Sequence, residues 1–274
     1  MLIYKRALGP EHPDLAHCLH NLAVLYRDQG NYAQAEPLFQ RALLIREQAL
    51  GPEHPRVALS LNYLADLYSA QGKFNQAESL SQRALAIRSH RLNPEHPDLA
   101  QCLNTLAKLA HAQGQYDRAH PLFQQALAIR EKSLGTEHPA VAETLTALGR
   151  LYYSQGKYTQ AESLLQQALN IREKSLGAEH PEVAETLVAL GKLYAVQQKH
   201  LEAAALLQRA LAIWARCLDP DHPSVIACME TYTALLGKRE RTDQAAELYD
   251  PRSIETLRTE EGSQRPLHQG YGTP

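Results

Sequence analysis

The tripeptide Glu-His-Pro recurs at a fixed 42-residue interval through this chain. It stands at Glu11-His12-Pro13, Glu53-His54-Pro55, Glu95-His96-Pro97, Glu137-His138-Pro139 and Glu179-His180-Pro181, and closes as Asp221-His222-Pro223. A period of this length means stacked copies of one supersecondary unit, none of which can bury its apolar face alone. The expected product is an elongated array with a long shaped surface and no single enclosed pocket. Such a surface holds a partner more readily than it transforms a substrate.

One repeat, residues 139 to 177, reads as two helices. Pro139 suits a first helical turn, and His138 before it sits where a cap belongs. Val141, Leu145, Leu148 and Tyr152 form one apolar stripe at spacings of three and four, and Glu143, Thr146, Arg150 and Tyr153 form a second stripe on another face. Gln155-Gly156 ends this helix, because glycine tolerates the left-handed conformation at the stop. A second helix runs from about Lys157 to Leu176, with Tyr158, Ala161, Leu165, Ala168 and Ile171 inward, and stops at Gly177. Equivalent stops elsewhere are Gly9, Gly51, Asn93, Gly135 and Asp219.

The chain opens midway through a unit, since Met1-Leu2-Ile3 aligns with Leu43-Leu44-Ile45 inside a second helix. Residues 1–9 are therefore expected to be the remnant of a preceding repeat's second helix. Residues 10–250 form the array, with repeats starting near 10, 52, 94, 136, 178 and 220, and the last is incomplete. In the fifth and sixth copies the Gln-Gly stop decays to Gln197-Gln198 and Arg239-Glu240, and Pro251 cuts the final helix short. The tail, 251–274, lacks an apolar stripe and is expected to be mostly disordered.

Composition narrows the function classes. A net charge of −2 advertises neither nucleic acid nor a strongly charged surface, and no apolar run approaches the roughly 18 residues of a membrane span. Cys18, Cys102 and Cys228 fall at one repeat position, where other copies carry Ser60, Thr144 and Thr186, which reads as a small semi-buried slot. Reduced structural thiols and a cytoplasmic location are the plain expectation. The box histidines lie too far apart to share a metal ion, and His17 and His20 are two ligands without a third. Neither metal nor cofactor is expected. No Gly-rich phosphate loop, Cys-x-x-Cys, His-Glu-x-x-His or nucleophile elbow is present, so an enzyme is not expected.

The residues Leu22-Ala23, Tyr26, Gly30, Tyr32, Ala35, Phe39 and Ala42 resemble the tetratricopeptide repeat (TPR) pattern, here lengthened from its usual period of about 34 residues. The string Ala128-Ile129-Arg130-Glu131-Lys132-Ser133-Leu134-Gly135, running into Glu137-His138-Pro139, resembles the long repeats of kinesin light chains and their bacterial relatives. The resemblance implies an all-α, right-handed superhelical solenoid of helix-turn-helix repeats whose first helices line a concave, peptide-binding groove. The heptad coiled coil of kinesin light chains has no counterpart here, so a motor subunit is not implied.

That resemblance selects candidate groove residues. One row is Val24, Asp66, Lys108, Arg150, Lys192 and Ala234, with three basic residues at its centre; another is His20, Asn62, Asn104, Thr146, Val188 and Glu230. Asn62 and Asn104 take the first position of the family's Leu-Asn-Asn-Leu-Ala segment and Asn21 takes the second. The expected peptide contacts are Asn21, Asn62, Asn104, Lys108, Thr146, Arg150, Tyr153 and Lys192. Amides would meet a ligand's backbone and the three cations its acidic side chains, each separately. An ordinary solvated helix face is the alternative, because Glu143 and Glu185 stand seven residues before a basic residue and dilute the positive field. Trp214 replaces Arg46, Arg88, Arg130 and Arg172 at one point of the second helix. It is expected to pack under the last repeat or the tail, or else to contact a partner.

The primary expectation is a non-catalytic adaptor binding a linear, acidic or mixed peptide, with no role for nucleic acid or membrane. A sensor fragment of a larger signalling ATPase or kinase is the alternative. Self-association through the partly uncovered Leu19, Leu22 and Tyr26 is a third reading.

Overall fold

The structure is a computed structural model that describes residues 12–248. Every element in that span is a helix. First helices are α1 (Pro13–Asp28), α3 (Pro55–Ala70), α5 (Pro97–Ala112), α7 (Pro139–Ser154), α9 (Pro181–Val196) and α11 (Pro223–Leu248). Second helices are α2 (Tyr32–Leu50), α4 (Phe74–Arg91), α6 (Tyr116–Leu134), α8 (Tyr158–Leu176) and α10 (His200–Trp214). The expected second-helix remnant at 1–9 and the tail at 251–274 lie outside the described residues. Each first helix packs on its own second helix, each second helix on the next first helix, and successive first helices touch one another. The result is an all-α superhelical solenoid. None of the described helices is long and apolar enough to cross a membrane.

The repeated box builds each helix start. The Nδ1 atoms of His12, His54, His96, His138, His180 and His222 each accept from the backbone N–H two residues on, at 3.1–3.3 Å. The ring thus satisfies one donor that a helix N-terminus leaves open, and the proline that follows has no donor to orphan. The hairpin turn then needs a left-handed residue. Gly156 supplies it at φ +75°, whereas the fifth unit forces Gln198 to φ +62°, a conformation that costs a side-chain-bearing residue roughly 1 kcal/mol.

Helices close up on alanine. Ala35, Ala42, Ala77, Ala84, Ala119 and Ala126 are completely buried on the second helices, with Phe39 and Phe123 filling the gaps between them. In the fourth and fifth units the first helix offers glycine instead, and Leu165 and Leu207 press against Gly149 and Gly191.

Two expectations are corrected at the ends. The sixth unit is not a hairpin: α11 continues unbroken from Pro223 to Leu248. Arg239-Glu240 stands where other units turn, and both residues favour helix over a left-handed stop. At the other end Leu19 is fully buried against Ala42 and Ile45, while Leu22 and Tyr26 are half-buried. Among the described residues of α1 the exposed large apolar side chain is Leu25, at 60%, whose repeat equivalents Leu67, Leu109, Leu151 and Leu193 are all buried. Trp214 packs under the last unit, buried with Val225, Cys228 and Leu235.

Candidate functional site

Two cavities lie on the first-helix side. The larger, about 900 Å³, crosses from Arg27 and Asp28 of α1 over α3 and α5 to Glu182 and Glu185 of α9. The smaller, about 410 Å³, lies among α7, α9 and α11.

Charged side chains on the larger floor come in pairs. Glu143 receives Lys108 Nζ at 2.5 Å, Arg130 Nη1 at 3.0 Å and Asn104 Nδ2 at 3.0 Å. Burial on the concave wall pushes the Glu143 carboxyl up, but Lys108 and Arg130 outweigh it and hold it at about 2. Lys108 is shifted upward in turn: desolvation opposes its charge, and Glu143 and Asp66 more than restore it. Asp66 accepts from Thr105 Oγ1 at 3.2 Å and is shifted upward, because desolvation exceeds the help from Lys108.

Beneath this lattice runs a row of buried arginines from the second helices. Arg46, Arg88, Arg130 and Arg172 each extend into the next unit and donate to a backbone carbonyl there, of Arg56, Asp98, Ala140 and Glu182. The same guanidiniums donate to Ser60, Cys102, Thr144 and Thr186. The Ser/Thr/Cys slot is therefore the acceptor of an inter-repeat bridge. Buried polar groups need such partners, and charged donors gain most from them.

The candidate contacts separate into three groups. Lys108, Arg150, Tyr153 and Lys192 line the cavities. Asn21 is exposed on α1 and bonds His17 within its own helix. Asn62, Asn104 and Thr146 are buried, which corrects the expectation that they face a ligand. Their row faces the next first helix: Asn62 donates to Cys102 Sγ, Asn104 to Glu143, and Thr146 Oγ1 lies 3.5 Å from Thr186 Oγ1. Contact between successive first helices covers it.

The basic row is also not uniform. Lys108 is neutralised by Glu143 of the next unit. Arg150 reaches the next unit too, but donates to the Glu185 backbone carbonyl at 3.3 Å. Lys192 has Ala227 at the corresponding place and forms no ion pair among the described residues. Both cations border the smaller cavity with Tyr153, Val188 and Trp214. The row two helical turns nearer the N-terminus, Leu59, Gln101, Glu143 and Glu185, lines the larger cavity; sequence reasoning set its acids against the cations of their own helices and missed the pairing of Glu143 with Lys108 of the preceding unit. Its signal was the 35-residue offset from Lys108 to Glu143 and from Arg150 to Glu185.

Comparison with known proteins places this geometry. The sequence profile described as "Tetratricopeptide repeat" matches residues 1–43, 19–90, 75–132, 121–174, 141–198 and 182–250. The chain is similar to the nearly identical TPR-like repeats of a Podosopora anserina kinesin light chain, at 32% identity, covering 75% of this chain and 97% of that one, with a TM-score of 0.54. BtubC (BKLC) from P. vanneervenii is similar in fold at 21% identity, covering 91% and 97%, with a TM-score of 0.57. A Rap protein complexed with competence and sporulation factor is similar in fold at 16% identity, covering 91% and 76%, with a TM-score of 0.65. No curated protein sequence matches the chain.

Proposed function

Because the chain belongs to the tetratricopeptide repeat family, of the kinesin light chain-like type, we propose that it is a non-catalytic scaffold holding a linear segment of a protein partner along its first-helix face. The observation that carries this reading is the floor of the larger cavity, where carboxylates and cations of successive units alternate. An extended segment of mixed charge complements such a floor; a purely acidic one meets Asp66, Asp98, Glu143, Glu182 and Glu185. The acidic part of the ligand belongs at the smaller cavity, where Arg150 and Lys192 form no ion pair among the described residues and the one lining carboxylate, Glu185, is held by Arg172 at 3.7 Å. A charge-assisted contact there contributes roughly 1.5–3 kcal/mol.

Selection of displayed linear peptides on the immobilised chain tests this. Recovered peptides should carry both signs of charge. Arg150→Glu with Lys192→Glu should weaken them about tenfold or more and flatten the salt dependence, while Lys108→Glu has a smaller effect. Recovery of no enriched peptide would remove the groove as a binding surface. Enriched peptides indifferent to the double substitution would remove only the assignment of the acidic end.

A further inference from the structure

The first and last units of the coil touch. Gly30, in the first hairpin turn at φ +77°, sits so close to the start of α11 that a Cβ on it would lie 2.9 Å from Pro223 Cδ and 3.5 Å from His222 Cδ2. Its counterparts Gly72, Gly114 and Gly156 have the same left-handed backbone and nothing within 4 Å of such a Cβ. Six units therefore bring the coil round upon itself. The shared cavity says the same, since Arg27 and Asp28 of the first unit line it together with Glu182 and Glu185 of the fifth.

The joint that carries α11 to this contact differs from the others. From the first unit to the fifth, each joint is tied by a buried arginine that bonds a backbone carbonyl and a slot residue of the next unit. At the fifth joint Trp214 replaces the arginine, and its Nε1 donates backward to Pro181 O within its own unit at 3.3 Å. Among the described residues, the one hydrogen bond from an α11 side chain to another helix is the weak Cys228 thiol to Leu207 O at 3.8 Å. Apolar packing of Trp214, Val225, Cys228 and Leu235 does the rest. Such packing lacks the directional bonds that hold one orientation, so this joint turns more easily than its neighbours. Among the described residues no second helix of its own unit packs on α11 as α2, α4, α6, α8 and α10 pack on the other first helices.

We propose that α11 is a gate: it pivots at the Trp214 joint and latches through Pro223 onto the Gly30 turn, closing the coil. Ser224, Ala227 and Cys228 of α11 form one wall of the smaller cavity. Swinging α11 outward opens that cavity and the end of the groove together. The gate is a property of the protein alone, so its test needs no ligand and leaves the binding reading to be judged separately.

Spin labels on Gln29→Cys and Asp221→Cys, in a Cys18→Ser/Cys217→Ser background, read the latch directly by pulsed dipolar distance measurement. The parent should show a short, narrow distribution. Gly30→Ala should shift it to longer, broader distances, and Gly72→Ala, with equal backbone strain and no neighbour, should not. Pro223→Ala should likewise lengthen it where Pro181→Ala does not. A long or broad distribution in the parent overturns the latch. So does an equal response to both members of either pair, which would assign the effect to backbone strain or to loss of the helix-start proline.

Discussion

Arg130 leaves α6, crosses into the next unit and donates through Nη1 to Thr144 Oγ1 at 2.7 Å and to Ala140 O at 2.6 Å. Its Nη2 also reaches Gln101 in the unit it came from, at 2.6 Å. One side chain thus pins three consecutive segments of the solenoid, and it does so almost wholly out of water. The guanidinium fork suits this task, as a lysine ammonium would not.

Replacing Arg130 with methionine keeps most of the volume and leaves Thr144 and Gln101 without their donor. The expected loss is about 2–4 kcal/mol of unfolding free energy. Because neighbouring units couple through these joints, the denaturation curve should also broaden as cooperativity across the array falls. Chemical denaturation followed by circular dichroism measures both effects.

Gly149→Ala reverses the usual sign of a glycine-to-alanine change in a helix. Propensity alone favours the alanine by about 1 kcal/mol. The new Cβ, however, would lie 2.6 Å from Leu165 Cγ, with the α8 backbone 3.4 Å behind it. Overpacking of that kind costs roughly 1–3 kcal/mol, so the variant should be less stable. Adding Leu165→Ala should make Gly149→Ala stabilising relative to Leu165→Ala alone, which thermal melts of the four proteins would show.

His20 couples stability to acid. Burial against Phe39 and Tyr63, reinforced by Arg46, His17 and Arg27, lowers its pKa from 6.5 to about 4. As pH falls below 6.5 the unfolded chain takes up a proton that the folded chain refuses until about 4. Stability should therefore be complete above pH 6.5 and decline through that window, by roughly 3 kcal/mol in total. His20→Asn, the residue found at the equivalent positions 62 and 104, should flatten the decline in urea titrations between pH 7 and 4.

Glu143→Gln tests the pairing of the groove floor. It frees Lys108 from its carboxylate and removes one negative charge from the cavity wall. Peptides with an acidic residue over that position should bind more tightly by about 0.2–1 kcal/mol, with a steeper loss of affinity in salt. Calorimetry at two ionic strengths would show it. Weaker binding would mean that Glu143 itself meets the ligand.

Much of this molecule is local and was legible as such. The 42-residue period, the histidine caps, the proline starts and the glycine stops each depend on residues a few positions apart. Local backbone chemistry therefore reports them without knowledge of the fold. Sequence reading failed where the answer lay in a neighbouring unit. Asn62, Asn104 and Thr146 share a helical face with the cations by spacing, yet contact between successive first helices buries them. Arg88 and Cys102 looked like unrelated periodic positions until packing joined them at 3.3 Å. The sequence alone determined that the chain is a stack of helical repeats and where each first helix begins, though not that α11 runs on through its expected turn. Only the tertiary structure decided which rows face the groove, which charges are already paired, and that the first turn meets the last helix. A small rotation at each joint is set by side-chain packing between units and accumulates along the stack, so no single repeat encodes the curvature that results.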